Sequence, residues 1–175
     1  MSAQQIALNI IIAFIQLLVG LTVAIGSVYM GIAILDKLTR DINEWKEIKK
    51  GNVAVGVLLA GIIISIALIV EQGVVDLLSV LSLGVDPKAM LFLTLAGVAN
   101  LGISVMVAMF AVYIGIRLID QMTTDVDEIA ELKKGNVAIG IIMAAVLIAV
   151  AFVIRGSVVE IIYAIDLKGL VAGFY

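Results

Sequence analysis

The 175-residue chain contains no cysteine and no histidine. Disulfides, thiol nucleophiles and Cys or His metal ligands are therefore excluded, and with histidine goes the most common general base. Charge is scarce: 14% of residues are Asp, Glu, Lys or Arg, where a soluble domain carries about 25%. Eleven basic against 14 acidic residues leave a net charge of -3, which offers no basic field to nucleic acid. The sequence shows no phosphate loop, dinucleotide fingerprint or metal-ligand spacing. These absences argue against an enzyme and against a cofactor or resident metal.

What the chain has in abundance is apolar sequence, 63% of residues with a mean hydropathy of +1.25. Residues 1–35, 52–70, 89–116 and 136–154 carry no charge. Each run is at least about as long as the ~20 residues that a helix needs to cross a ~30 Å hydrocarbon core. The expected fold class is all-α and integral to the membrane, with four transmembrane helices. The first run lacks a basic start and far exceeds the roughly 7 to 15 residues of a signal h-region, so it reads as a span rather than a cleavable signal.

An offset of 84 residues superimposes the second half on the first, with 15 identities over the 35 positions from 36–70 to 120–154. That level marks an internal duplication, 1–84 and 85–175, which together make one membrane domain. Each copy holds two spans, so both insert in the same sense, as two parallel tandem helical hairpins rather than inverted repeats. Eight Lys and Arg fall in residues 36–50 and 117–134, against three elsewhere: Lys88, Arg155 and Lys168. The positive-inside rule then places both connections in the cytoplasm and both termini outside.

Gly84, Asp86 and Pro87 mark a tight turn between the second and third spans, with Asp86 as a cap and Pro87 in the first helical turn. The adjoining helices then run from about Asn52 to Leu83 and from Pro87 past Arg117, roughly 45–50 Å each at 1.5 Å per residue. Such lengths must tilt, protrude or break, and Gly73 and the pair Gly156 and Ser157 are the expected break points. In the first connection Leu38, Ile42, Trp45 and Ile48 form the stripe of a short amphipathic cytoplasmic helix, with Trp45 at headgroup level. Asp41 with Glu44, and Asp125 with Glu128, have the spacing of an N-cap and its reciprocal acid. Gly51 and Gly135 should end these short helices, and Asn52 and Asn136 cap the next ones.

Glu71 and Gln16 each lie 19 residues from the inner end of their spans, at Asn52 and Leu35, and Arg155 and Asn100 lie 19 from Asn136 and Ile119. Nineteen residues rise about 28 Å, so the four share one height. Under the offset of 84, Gln16 matches Asn100 and Glu71 matches Arg155, the latter with opposite sign. A buried Glu71 would need Arg155 as partner, with Gln16 and Asn100 completing the hydrogen bonds. An outer-interface location without pairing is the alternative. Gly56 with Ala60, and Gly140 with Ala144, supply the small-xxx-small spacing of close helix packing, extended by Gly51, Ala54 and Gly61. Gly20, Gly26, Gly31, Gly97, Gly102 and Gly115 suggest further close contacts, and Met90, Met106 and Met109 read as gap fillers.

The twice-written pattern, Thr39-x-Asp41 leading to Glu47-Ile48-Lys49-Lys50-Gly51-Asn52 and Thr123-x-Asp125 leading to Glu131-Leu132-Lys133-Lys134-Gly135-Asn136, resembles the domain of unknown function 350 family. The resemblance covers nearly the whole chain and implies a small four-span inner-membrane protein built of a tandem pair. It implies no activity, although a membrane-maintenance role in envelope stress is suggested by some members. Two functions compete. One is a homo-oligomer that forms or gates a path for ions or small solutes. The other is a non-transporting scaffold whose cytoplasmic helices and Lys-Lys-Gly-Asn corners bind anionic lipid or a soluble partner. An intramembrane enzyme would need an acid or base cluster beyond Glu71, and the sequence offers none.

Overall fold

A computed structural model describes residues 3–38, 43–80, 87–122 and 126–165. Among these residues all regular structure is α-helical: α1 (Ala3–Leu38), α2 (Glu44–Lys49), α3 (Val53–Val80), α4 (Pro87–Met122), α5 (Glu128–Lys133) and α6 (Val137–Ile165). Three stretches are long and apolar enough to cross a membrane, Val53–Ser79, Met90–Gln121 and Val137–Ile161, while α1 carries a shorter apolar stretch, Ala13–Gly26. The only proline opens α4, where its missing amide costs nothing. The turn at 83–86, with the expected Asp86 cap, lies outside the described residues.

Helix α3 is the hub, packing against α4 and α6 along their lengths, against α1 more loosely, and against α2 and α5 at one end. Its buried residues, including Val55, Leu58, Ile62, Ser65, Ile66 and Ile69, form the centre of the core. In contrast, α1 presents Ile10, Phe14, Leu17, Leu21 and Ile25 outward.

Close backbone approach explains the glycines in the contacts. A Cβ on Gly61 would lie 2.5 Å from Ala144 Cβ, one on Gly140 2.5 Å from Ala54 O, and one on Gly73 2.8 Å from Leu101 Cα. Gly97 and Gly115 receive Leu77 and Leu147 in the same way.

Several expectations need correction. Helices α3 and α6 run unbroken through Gly73 and through Gly156 and Ser157. An interior glycine costs a helix only about 1 kcal/mol, and Gly73 serves the approach of α4 instead of a break. The short helices begin later than expected: Asn43 and Asp127, not Asp41 and Asp125, are the N-caps, and their side chains accept from the amides of Lys46 and Ala130. Asp41 and Asp125 lie outside the described residues. The stripe from Leu38 to Ile48 is not one helix, since Leu38 ends α1 and α2 starts only at Glu44. Gly140 and Ala144 do form a packing face, but their partners on α3 are Ala54 and Gly61. A Cβ on Gly56 would meet no described atom within 4 Å, and Ala60 is exposed. Gly26 and Gly102 are likewise open. Met106 is exposed, and the methionine that fills the core is Met143.

Candidate functional site

Two interhelical polar pairs and two repeated corners stand out among the described residues. Arg155 on α6 meets Glu71 on α3, Nη2 to Oε2 at 3.3 Å. With the Gln72 amide turned so that its oxygen faces the guanidinium, it accepts from Arg155 Nε and Nη2 at 3.0 Å each; the opposite orientation sets donor against donor. The Glu71 side chain is 50% exposed and that of Arg155 34%, so this is not a dry, enclosed bridge. Glu71 also borders an apolar groove of about 440 Å3 between α1 and α3, bounded by Ala24, Val28, Ile64, Ala67 and Val75.

Asn100 does not join that pair. Its Nδ2 donates to Asp76 Oδ2 at 2.6 Å, across the α3–α4 contact. Asn100 is 2% exposed and its Oδ1 has no partner among the described residues. Ser104, one turn along α4, is fully buried beside Gly73, and its hydroxyl donates to Asn100 O at 3.0 Å. The expected single layer is therefore two pairs at different places on α3. Gln16 lies on α1, and its side chain is outside the described ones. The 19-residue register did not point to Gln72 or Asp76, which lie 20 and 24 residues from Asn52. A signal for Asp76 existed, since an acid recurs at the equivalent position as Glu160.

The corners explain the repeated motif residue by residue. Gly51 (φ 81°) and Gly135 (φ 82°) take the left-handed conformation that side chains with a Cβ resist. The crossed bonds of a glycine C-cap follow in both copies: Gly51 N–H to Ile48 O (2.9 Å) with Asn52 N–H to Glu47 O (3.0 Å), and Gly135 N–H to Leu132 O with Asn136 N–H to Glu131 O (3.0 Å each). Glu47 binds Lys50 Nζ at 2.6 Å and Asn52 Nδ2 at 3.3 Å; Glu131 binds Lys134 Nζ at 2.7 Å and Asn136 Nδ2 at 2.9 Å. The hydrogen bond from Lys50, then that from Asn52, holds the Glu47 carboxyl below its ordinary value. Lys134 and Asn136 do the same for Glu131, which in turn raises Lys134. Asn52 Oδ1 caps α3 by accepting from Val55 N–H at 3.2 Å, and its Nδ2 reaches Leu132 O at 2.8 Å. That last bond ties the first copy's corner to the second copy's α5. Thr39, Asp41, Thr123 and Asp125 lie outside the described residues.

No group of three or more acids that could hold a metal ion occurs among the described residues. Chemically, the arrangement offers a partly exposed ion pair and an amide–acid pair between helices, with corners in which Glu47 engages Lys50 and Glu131 engages Lys134. Neither a curated protein nor a solved structure matches the chain. A family model does, twice, over residues 7–101 and 90–173. With both copies of the repeat matched, the chain belongs to the family described as Domain of Unknown Function (DUF350).

Proposed function

We propose that the protein is a four-span, multi-pass membrane protein of the cell (inner) membrane that works as a homo-oligomer and forms or gates a permeation path for ions or small solutes. The observation that carries this is the Glu71–Arg155 pair. Both charges sit well along predominantly apolar helices, and both keep substantial exposure in the single chain. Ionised groups at such positions in a membrane face water or protein rather than lipid. A polar lumen supplies the water, and an assembly of subunits supplies its walls. Helix α1, 36 residues long, is the fourth span in this reading, and the two corners lie on the cytoplasmic side.

The test is flux from liposomes holding the purified protein. Ion or small-solute flux above that of empty liposomes, altered in selectivity by Glu71→Gln and Arg155→Gln, is the expected result. No flux under several ions and voltages overturns the reading. A second reading, a scaffold that docks lipid or a soluble partner, draws on the exposed Trp45 beside exposed Lys46 and Lys49 on α2. It predicts that neutralising Lys49, Lys50, Lys133 and Lys134 abolishes capture by anionic vesicles. Lys50 and Lys134 are already engaged by Glu47 and Glu131, which weakens it.

A further inference from the structure

The two copies of the repeat are alike in sequence but not in burial. On α3 a stripe of Leu58, Gly61, Ser65, Ile69, Gly73 and Leu77 is buried under α4 and α6. Adding 84 to each number gives Ile142, Ala145, Ala149, Val153, Ser157 and Ile161 on α6, and every one is exposed. Ile69 is 0% exposed, against 74% for its counterpart Val153. The same holds in reverse for the face that does the covering. Gly140 and Ala144 dock on α3 at Ala54 and Gly61, whereas their counterparts Gly56 and Ala60 face open space among the described residues.

A two-fold relation between the copies would make each of these contacts twice within one chain. Each is made once, so the contact between copies is heterologous, with different surfaces on the two sides. A heterologous contact leaves one of each surface unused at the ends, and these can mate only with another molecule. We infer that a second copy of this chain docks its first repeat on the exposed stripe of α6, repeating between subunits the contact that joins the two repeats within one. This rests on the homo-oligomeric reading above and specifies its interface.

The polar groups fit that assignment. Within the chain, Asn100 donates to Asp76 across the contact. Between chains the equivalent positions are Gln16 and the exposed Glu160, again an amide opposite an acid, each longer by one methylene. At the other end, Asn52 reaches the carbonyl of Leu132, which is fully buried, and the equivalent positions are Asn136 and Ile48, which is only partly covered. Small residues along the α6 stripe, Ala138, Ala145, Ala149 and Ser157, suit helix contact better than lipid contact. Lipid, which would cover the same face of a monomer, is the competing outcome.

The absence of cysteine makes disulfide mapping direct. Within the chain a Gly61 Cβ would touch Ala144 Cβ and a Gly97 Cβ would touch Leu77, so between chains position 60 should meet 145 and position 13 should meet 161. In membranes, a chain carrying only Ala60→Cys co-expressed with one carrying only Ala145→Cys should form a disulfide-linked dimer on oxidation, as should the Ala13→Cys and Ile161→Cys pair. Neither variant of a pair alone should do so. A single chain bearing both Ala60→Cys and Ala145→Cys should give a ladder whose ceiling counts the subunits of a closed ring. Adding Gly56→Leu, a side chain with open space in the isolated chain, should remove the ladder without reducing the amount inserted. Dimers from either single variant, a cross-link confined to one chain, or no inter-chain product from variants inserted at wild-type level would each overturn the interface. Liposome flux separates the two readings: flux without the ladder keeps the path and rejects the interface, and the ladder without flux does the reverse.

Discussion

Asn100 and Glu71 are both polar groups on helices long and apolar enough to span a membrane, yet their surroundings ask for different consequences. Asn100 is buried, and its amide donates to Asp76 across a helix contact. Replacing it with Ala takes that donor from Asp76, a loss of about 1–3 kcal/mol that should appear as a lower melting temperature in detergent. Exposed ion pairs stabilise by under about 1 kcal/mol, so Glu71→Gln or Arg155→Gln should barely move the melting temperature. Exchanging the two charges should restore whatever the single changes lose in flux, and equal damage from all three would contradict a pairing role. The corner acids carry the pH dependence. Glu47 and Glu131 have folded pKa values below the ordinary 4.5, so their contribution is present above that value and is lost as pH falls through the lower folded one. Melting temperatures followed from about pH 7 to pH 3 should drop across that window, and the double variant Glu47→Gln/Glu131→Gln should flatten the drop. The raised pKa of Lys134 works oppositely, stabilising below the ordinary 10.5 and failing as pH rises past the folded value. These pairs were only partly legible in the sequence. The offset of 84 matched Glu71 to Arg155, but which amide meets which acid depends on the angle at which α4 crosses α3.

The helices themselves were easier to read than the way they pack. Long uncharged runs made α3, α4 and α6 plain, and Gly51 and Gly135 marked the ends of the short helices because a left-handed residue leaves a compositional trace. The caps were misplaced by two residues, since Asn43 competes with Asp41 and Asp127 with Asp125 as acceptors, and spacing alone does not choose between them. Glycines divide by what approaches them. Gly61→Ala, Gly73→Ala and Gly140→Ala each put a methyl within 2.5–2.6 Å of a neighbouring atom and should cost about 1–3 kcal/mol by overpacking, visible as lower melting temperatures. Gly102→Ala, with open space at that position, should leave stability unchanged or raise it through better helix propensity. If all four behave alike, the α3–α4 and α3–α6 contacts are not those described.

For the molecule as a whole, topology is the first matter to test. Single cysteines at Ser2 and Asn43, labelled with an impermeant reagent in intact cells, should react at Ser2 and not at Asn43; the reverse pattern would invert the chain in the membrane. Scarce charge, absent histidine and cysteine, uncharged runs and a duplication at one fixed offset are one-dimensional facts, and they were enough to identify helices, repeats and the corners between them. Period and composition act locally, through hydrogen bonding along one helix and the cost of charge in hydrocarbon, so no partner need be known. The hand and angle of packing do require partners. Two repeats with related sequences pack so that one stripe of α3 is covered and the equivalent stripe of α6 is not, and that asymmetry arises because side chains of one copy fill grooves of the other without a two-fold axis. It could not be read from either copy alone, because each carries both surfaces and only their docking shows which one remains open.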